Sequence, residues 1–263
     1  MLLLSIVTIN LNNAIGLKET FESVFSQTFT GFEFIVVDGG STDGSREIIQ
    51  SGADKLTHWV SEKDGGIYDA MNKGIASAKG QYLLFLNSGD YLNDRQVLAK
   101  VFAEQPAHDI IYGDIIWETS GNYTDGLYPH QLTFDYFTNH SLPHQGAFIR
   151  RQLFGTVGLY NMQYPIIADW IFFLLAIFKF NCSYLHLDMM VAVCNREGIS
   201  CSPEKWPQIV QQRKEIFLEH FSNFLDDYTL LLQQQQELLR LKKMLGHRLY
   251  SKIKRIYPGK KAR

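Results

Sequence analysis

The chain predicts an α/β fold, a mostly parallel central sheet flanked by helices and followed by a helical extension. Three observations predict it. Two apolar runs end in acid and glycine: Phe34-Ile35-Val36-Val37 leads into Asp38-Gly39-Gly40, and Tyr82-Leu83-Leu84-Phe85-Leu86 leads into Asn87-Ser88-Gly89-Asp90. Near-continuous apolar runs mark strands buried on both faces of a parallel sheet. Such runs alternate with segments of helical spacing as far as about residue 118. With 46% apolar and 13% aromatic residues in 263, the chain can pack one large domain, alone or with an appendage.

Each element follows from its local pattern. Leu3–Ile9 reads as the first core strand and Leu17–Phe25 as a helix. Phe32–Val37 is a second buried strand, and Gly44–Gln50 a helix entered through a Ser-Thr-Asp-Gly turn whose side chains can satisfy backbone groups. His58–Val60 is a short strand. Ile67, Ala70, Met71, Gly74, Ile75 and Ala78 recur at three and four, an amphipathic helix. Tyr82–Leu86 is a strand, Arg95–Phe102 a helix and Ile110–Trp117 a strand. Tyr123 to His144, rich in aromatics, His, Asn and Pro, has weak periodicity and reads as a long functional loop. Gly146–Ile149 is a strand, Asp169–Phe180 a helix, and Cys182–His186 and Met190–Val193 two short strands. Pro203 opens a long helical region. The expected division is an α/β domain over 1–200, in halves 1–118 and 119–200, and a helical extension over 201–263.

The net charge of −2 conceals an asymmetry. Arg240 to Arg263 holds ten Lys/Arg and no Asp/Glu, which leaves 15 basic against 27 acidic residues before it. An acidic body with a basic tail points to an anionic partner for the tail alone. In that tail Leu238, Leu239, Leu241, Met244, Leu245 and Leu249 interleave with Arg240, Lys242, Lys243 and Arg248, the pattern of a basic amphipathic helix on an anionic membrane surface. A solvated helix and an unstructured tail are the other readings. Nucleic acid is not an expected partner, because no base-stacking module accompanies the basic residues. Cys182, Cys194 and Cys201 lack metal-ligand spacing and read as thiols in a reducing cytosol. The start has no basic n-region or cleavage site and reads as a core strand. The run Trp170 to Phe178 is too short to span a bilayer.

In open α/β sheets ligands bind beyond the carboxyl ends of the strands, so the polar residues at those ends are the candidates. Asp38 can accept hydrogen bonds from a base or ribose, or can close a turn with Thr42 and Asp43. Asp64, in a Gly-rich turn before a helix, can reach over the sheet edge. On that helix Asp69, Asn72 and Lys73 lie opposite the apolar stripe, and Asp69 with Lys73 reads as an exposed i,i+4 pair. Asp90 can hold a divalent ion that neutralises a diphosphate, or can cap a turn. Asp169 stands where an acid is favoured by a helix N-terminus. His144 lies in Pro143-His144-Gln145-Gly146 with a glycine beside it for close approach, and Asp114 ends another strand. No G-x-G-x-x-G follows the first strand and no Walker A loop occurs.

Taken in order, these segments resemble family 2 glycosyltransferases of the GT-A fold. The matching residues are Ser5-Ile6-Val7-Thr8, Val37-Asp38-Gly39-Gly40-Ser41-Thr42-Asp43-Gly44-Ser45, Asp64-Gly65-Gly66-Ile67-Tyr68-Asp69-Ala70-Met71-Asn72-Lys73-Gly74 and Gly80 through Asp90. The pattern is also similar to that of bacterial enzymes of exopolysaccharide assembly, including the colanic-acid type. The resemblance covers about residues 3–195. It implies a nucleotide-sugar donor bound by Thr8, Asn10, Asp38, Asp64, Asn72, Asn87 and His144, and a metal, Mg²⁺ or Mn²⁺, at Asp90. It also implies Asp169 as the general base of an inverting transfer to a saccharide hydroxyl, on a lipid-linked acceptor at the inner face of a bacterial inner membrane. The family's usual metal motif is Asp-x-Asp, and here Asn87-Ser88-Gly89-Asp90 keeps one acid. Two rival readings are a catalytically silent membrane-associated adaptor on the same fold and a sugar nucleotidylyltransferase. The second would need a Gly-rich, Arg-containing loop after the first strand, where Asn10-Leu11-Asn12-Asn13 stands instead.

Overall fold

Alternation of side chains along the first strand decides how the layers form. In β1 (Leu4–Asn10) Leu4 and Ile6 enter a core layer with Leu17, Phe21 and Val24 of α1 (Ala14–Phe25). Val7 points the other way, onto Gly74 of α3 (Ile67–Ser77). A Cβ on Gly74 would stand 2.3 Å from Val7 Cγ1, so the helix rests directly on the strand. Covered on both faces, β1 is buried along its whole length, as a central parallel strand must be.

The structure, a computed structural model, describes residues 2–103, 107–195 and 202–256, with side chains as far as Met244. The remaining elements are β2 (Phe32–Asp38), α2 (Ser45–Ser51), β3 (His58–Ser61), β4 (Tyr82–Phe85), β5 (Tyr91–Leu92) and α4 (Val97–Phe102). They continue with β6 (Ile110–Thr119), β7 (Asn122–Gly126), α5 (Phe134–Asn139), β8 (Ala147–Arg150), α6 (Leu153–Thr156), α7 (Ala168–Phe178), β9 (Tyr184–Asn195) and α8 (Trp206–Ile256). The strand order is β3-β2-β1-β4-β8-β6-β9-β5, with β7 paired to β6. β3, β2, β1 and β4 are mutually parallel. β8 enters antiparallel between β4 and β6, which restores the direction of β4 to β6, and β9 runs parallel to β6. The carboxyl ends of β1, β2, β3, β4, β6 and β9 therefore share one edge with the start of β8. This is the α/β fold the sequence predicts.

A second aromatic layer lies under the Val7 face. Phe85 meets Phe154 and Tyr160 edge-on, and Phe154 stacks on Phe172 of α7 with ring centroids 4.6 Å apart. α7 is apolar nearly all round and is buried almost throughout, which is why its sequence shows little amphipathic period.

Two stretches differ from expectation. Residues 123–144 are partly regular. Ser120 (φ 49°) and Gly121 (φ 78°) make a two-residue turn between β6 and β7, the left-handed pair that matches hairpin twist. Thr133 Oγ1 then caps α5 by accepting from Tyr136 N. The two short strands expected over 182–193 are one strand, β9. Its register on β6 passes from Gly113–Leu187 to Asp114–Met190, so a bulge lets Asp188 leave the ladder without ending the strand.

Met1–Val210 and Gln211–Arg263 form separate units. In the second, α8 continues as helix, interrupted at Phe221 (φ −134°, ψ 18°). Among the described residues no helix is long and apolar enough to cross a membrane. Cys201, the tail side chains from Leu245 onward and residues 257–263 lie outside the described residues.

Candidate active site

Asn10 and Asp38 are register partners at the carboxyl ends of β1 and β2, and Ser61 ends β3 beside Asp38. Asp38 is fully buried. Its Oδ1 accepts from Asn10 Nδ2 (2.7 Å) and Ser41 Oγ, and its Oδ2 from Ser41 N (3.0 Å) and Ser61 Oγ (2.6 Å). Burial opposes its charge, but the hydrogen bonds from Ser41, Ser61 and Asn10 outweigh it and hold the carboxyl below its ordinary value. Asn10 Oδ1 is buried with no hydrogen-bond partner. Asp64 lies over the same strand end: a Cβ on Gly39 would fall 2.7 Å from its Oδ2, while its Oδ1 accepts from Gly66 N (2.9 Å). Asp43 plays a turn role. Its carboxylate accepts from Ala14 N at the start of α1 and from Ser45 at the start of α2.

Asn87 to Asp90 forms a tight turn just past β4, with Asp90 N donating to Asn87 O (2.9 Å) and Gly89 at φ 96°. The turn is held from α1: Asn13 Nδ2 donates to Ser88 O, and Thr20 Oγ1 bonds Gly89 N and Asp90 O. A Cβ on Gly16 would stand 2.7 Å from Gly89 Cα, so helix and turn touch backbone to backbone. Asp90 is 5% exposed. Its carboxylate accepts from Asn195 N (3.1 Å) and Gln145 Nε2 (3.2 Å). Burial dominates and pushes its pKa up to about 6, against the opposing pull of His144, Gln145 and Asn195.

A polar chain joins this turn to α7. Tyr68 Oη lies 2.7 Å from Asp169 Oδ1, His144 Nδ1 is 3.0 Å from Asp169 Oδ2, and His144 Nε2 is 3.2 Å from Asn87 Nδ2. Asn87 Nδ2 can only donate, so Nε2 accepts, and the ring proton sits on Nδ1 facing Asp169. Burial works against the Asp169 charge, but His144 and Tyr68 outweigh it and the carboxyl is held below its ordinary value. The Tyr68 phenol is driven well upward by its burial and by the Asp169 charge.

The edge thus brings together Asn10, Asp38 and Asp64 at the ends of β1 and β2, and Asn87, Asp90, His144 and Asp169 beyond β4. Two expected ligands are corrected. Thr8 is fully buried and gives its hydroxyl to Leu86 O (2.7 Å), so it ties β1 to β4 beneath the site. Asn72 is clamped on the backbone of Tyr160, donating to its carbonyl (2.9 Å) and accepting from its N–H (3.1 Å). Asp69 and Lys73 do form a partly exposed i,i+4 pair at 3.7 Å, with Glu62 as a second partner of the lysine. Tyr68, Gln145 and Ser61 act at the site without having been singled out. Tyr68 takes the buried place on α3 that the apolar spacing assigns to Ile67, which is exposed. Asp114 is engaged elsewhere, with Tyr128 N and His186.

The donor set fits a hard divalent ion. Asp90 supplies a carboxylate, and Asn87 Oδ1 is a buried carbonyl oxygen without a partner. Ions such as Mg²⁺ commonly take one or two carboxylates and complete their shell with substrate phosphates and water.

Asp38, Asp64 and Asp90 thus gather at the carboxyl edge of the sheet, where open α/β sheets bind their ligands. Residues 5–158 match the sequence profile of glycosyl transferase family 2. The chain belongs to that family and is a glycosyltransferase. Over 175 residues it is 38% identical to a PGL/p-HBAD biosynthesis glycosyltransferase of Mycobacterium tuberculosis, covering 64% of this chain and 67% of the relative. It is 33% identical over 130 residues to the glycosyltransferase GlyG of Streptococcus pneumoniae, covering 46% and 42%. Among solved structures, S. aureus TarS 1–349 in complex with UDP superposes with a TM-score of 0.63 at 20% identity, covering 83% of this chain and 66% of that one. The mannosyltransferase PcManGT of Pyrobaculum calidifontis, in complex with GDP-Man and Mn²⁺, superposes with a TM-score of 0.58 at 15% identity, covering 85% and 64%. These two likenesses establish the GT-A fold.

Proposed function

We propose that this glycosyltransferase moves a sugar from a nucleoside-diphosphate donor to a hydroxyl of a growing saccharide, with inversion at the anomeric carbon. One observation carries the reading: Asp38 and Asp90 are buried carboxylates at the ends of β2 and β4, strands separated only by β1. Asp38, already ionised and oriented, takes the base or ribose together with the unpartnered Asn10 Oδ1, and Asp64 closes over the same end. Asp90 and Asn87 would hold Mg²⁺ or Mn²⁺, which when bound neutralises the charge of the diphosphate. The complexes of TarS with UDP and of PcManGT with GDP-Man and Mn²⁺ support such a donor and such an ion.

Asp169 is the general base. A sugar hydroxyl is a poor nucleophile, and removing its proton as the new bond forms lowers the barrier toward an oxocarbenium-like transition state. The 3.0 Å contact between Asp169 Oδ2 and His144 Nδ1 favours a second form of the same role. Both Asp169 oxygens already accept hydrogen bonds. In that form Asp169 orients His144, whose Nε2 receives the acceptor proton.

The acceptor is lipid-linked and the site of action is the cytoplasmic face of a bacterial inner membrane, in surface or extracellular polysaccharide synthesis. The basic residues of 240–263 and the exposed Leu231, Leu238, Leu239, Leu241 and Met244 of α8 support this placement. Co-sedimentation with anionic but not neutral vesicles checks the tail.

The decisive experiment is a panel of UDP-, GDP- and dTDP-sugars with and without Mn²⁺, read by thermal shift and donor hydrolysis. One nucleotide should raise the melting temperature in a metal-dependent way. Binding without turnover would make the chain a silent adaptor, and no response to any donor would sink the reading. A product with retained anomeric configuration would refute the inverting step.

A further inference from the structure

β6 and β9 carry a second constellation that glycosyl transfer does not use. At the bulge of β9, Asp188 leaves the ladder two residues after His186, the register partner of Tyr112. The His186 side chain is only 2% exposed. Its Nε2 lies 3.1 Å from Asp114 Oδ1, an oxygen that also accepts from Tyr128 N (2.8 Å). A carboxylate can only accept, so Nε2 carries the proton and Nδ1 presents a lone pair. That Nδ1 is buried without a hydrogen-bond partner and stands 3.6 Å from Asp188 Oδ1. Two acceptors therefore face each other. His130, on the segment between β7 and α5, completes the group: its Nε2 is 3.1 Å from the same Asp188 Oδ1, and its ring meets that of His186 edge-on at 4.5 Å.

We propose that His130, His186 and Asp188 bind a divalent transition ion of the zinc class. One ligand atom from each lies within 4.8 Å of the others. Ligands at tetrahedral zinc, with bonds of about 2.0–2.2 Å, stand roughly 3.3 Å apart, and the 3.1 and 3.6 Å separations fall on either side of that spacing. Asp114 fixes the His186 tautomer and ring plane, as the outer carboxylate does in carboxylate–histidine–zinc sites. Two imidazoles and a carboxylate select Zn²⁺, Ni²⁺ or Cu²⁺ over Mg²⁺, which separates this site from the all-oxygen donor set at Asp90 and Asn87. A water completes the shell. The ion pins the His130 segment to the β9 bulge. The rival is a doubly protonated His186 bridging Asp114 and Asp188.

The test uses the full chain without an affinity histidine tag, stripped by chelator and titrated with Zn²⁺ or Co²⁺ in excess Mg²⁺. One equivalent should bind, Co²⁺ should give the visible spectrum of a low-coordinate site, and the melting temperature should rise by about 5 °C or more near a hundredfold excess over Kd. His130→Ala and Asp188→Asn alter exposed side chains and should leave the metal-free melting temperature near that of the wild type. Each should weaken zinc binding by at least about tenfold, the lower end of what even outer-shell substitutions cost, and remove the thermal shift. Equal zinc affinity in wild type and variants would overturn the site. So would the absence of binding with a stability that follows pH alone, the behaviour of the imidazolium rival.

Discussion

Asp38 and Asp90 are both buried at the ends of strands that flank β1, yet their surroundings treat their charge in opposite ways. Asp38 receives hydrogen bonds from Asn10, Ser61 and twice from Ser41, and its carboxyl is held below the ordinary range. Asp90 receives two, from Asn195 N and Gln145, and burial drives it up to about 6. One carboxylate is held in its charged form by the protein's own donors. The other is electrostatically unfinished, and a divalent ion is the natural complement of such a group. The difference teaches that an acid's position at a strand end does not define its task; the number of donors around it does.

The largest way to break this contrast is Asp90→Asn. Turnover should fall by about 10²–10³-fold, the scale of losing one preorganised electrostatic contact, while the melting temperature at pH 7.5 rises because a disfavoured buried charge is gone. Asp38→Asn should do the reverse to stability, lowering it by about 3 kcal/mol, since several donors lose a charged acceptor. Denaturant titration of both variants checks the opposite signs, and equal signs would dissolve the comparison. A comparable loss of about 10²–10⁴-fold in kcat is expected of Asp169→Asn with donor affinity unchanged; an unaltered transfer rate would remove Asp169 from the mechanism.

The pH dependence sharpens it next. The folded Asp90 keeps a proton between its ordinary 3.8 and about 6. Its contribution to stability, on the order of 2–3 kcal/mol, is therefore present at low pH and lost as pH rises through about 6. Mn²⁺ affinity should climb over the same interval and level off above it, as calorimetry at several pH values would show. Asp38, with a lowered folded value, contributes stability above its ordinary range that disappears as pH falls through that lower value. Smaller still, Tyr68→Phe removes a hydrogen bond to charged Asp169 and should cut kcat by about tenfold with KM unchanged. Smallest in function, Asn72→Ala should cost roughly 1–2 kcal/mol of stability by releasing the Tyr160 backbone, with donor KM unmoved.

The sheet and its carboxyl edge were legible because β1, β2 and β4 are largely apolar runs ending in polar turns. The insertion of β8 between β4 and β6 was not, since four residues, Ala147 to Arg150, carry no mark of which strands they will join. Asp38 ends β2 and Asp90 lies just past β4, at the strand ends that the apolar runs marked. Thr8 and Asn72 failed for a shared reason. Each satisfies a backbone group distant in sequence, Leu86 in one case and Tyr160 in the other, and no local pattern encodes such a partner. Tyr68 was missed because the apolar spacing puts its neighbour Ile67 in the stripe instead. His130 and His186 lie far apart in sequence and become neighbours through the pairing of β6 with β9 and the hydrogen bonds that tie Tyr128 and Pro129 to Asp114 and Tyr112 of β6.

The contact of Gly16 with Gly89 has a consequence for how this chain can diverge. With backbone against backbone at Gly16 and Gly89, and with Asn13 and Thr20 hydrogen-bonded to the same turn, a tilt or slide of that helix is carried to Asp90. Substitutions on the buried side of α1, remote from every substrate atom, would thus re-aim the acid, which makes a plain structural helix the sight by which this enzyme's grip is set.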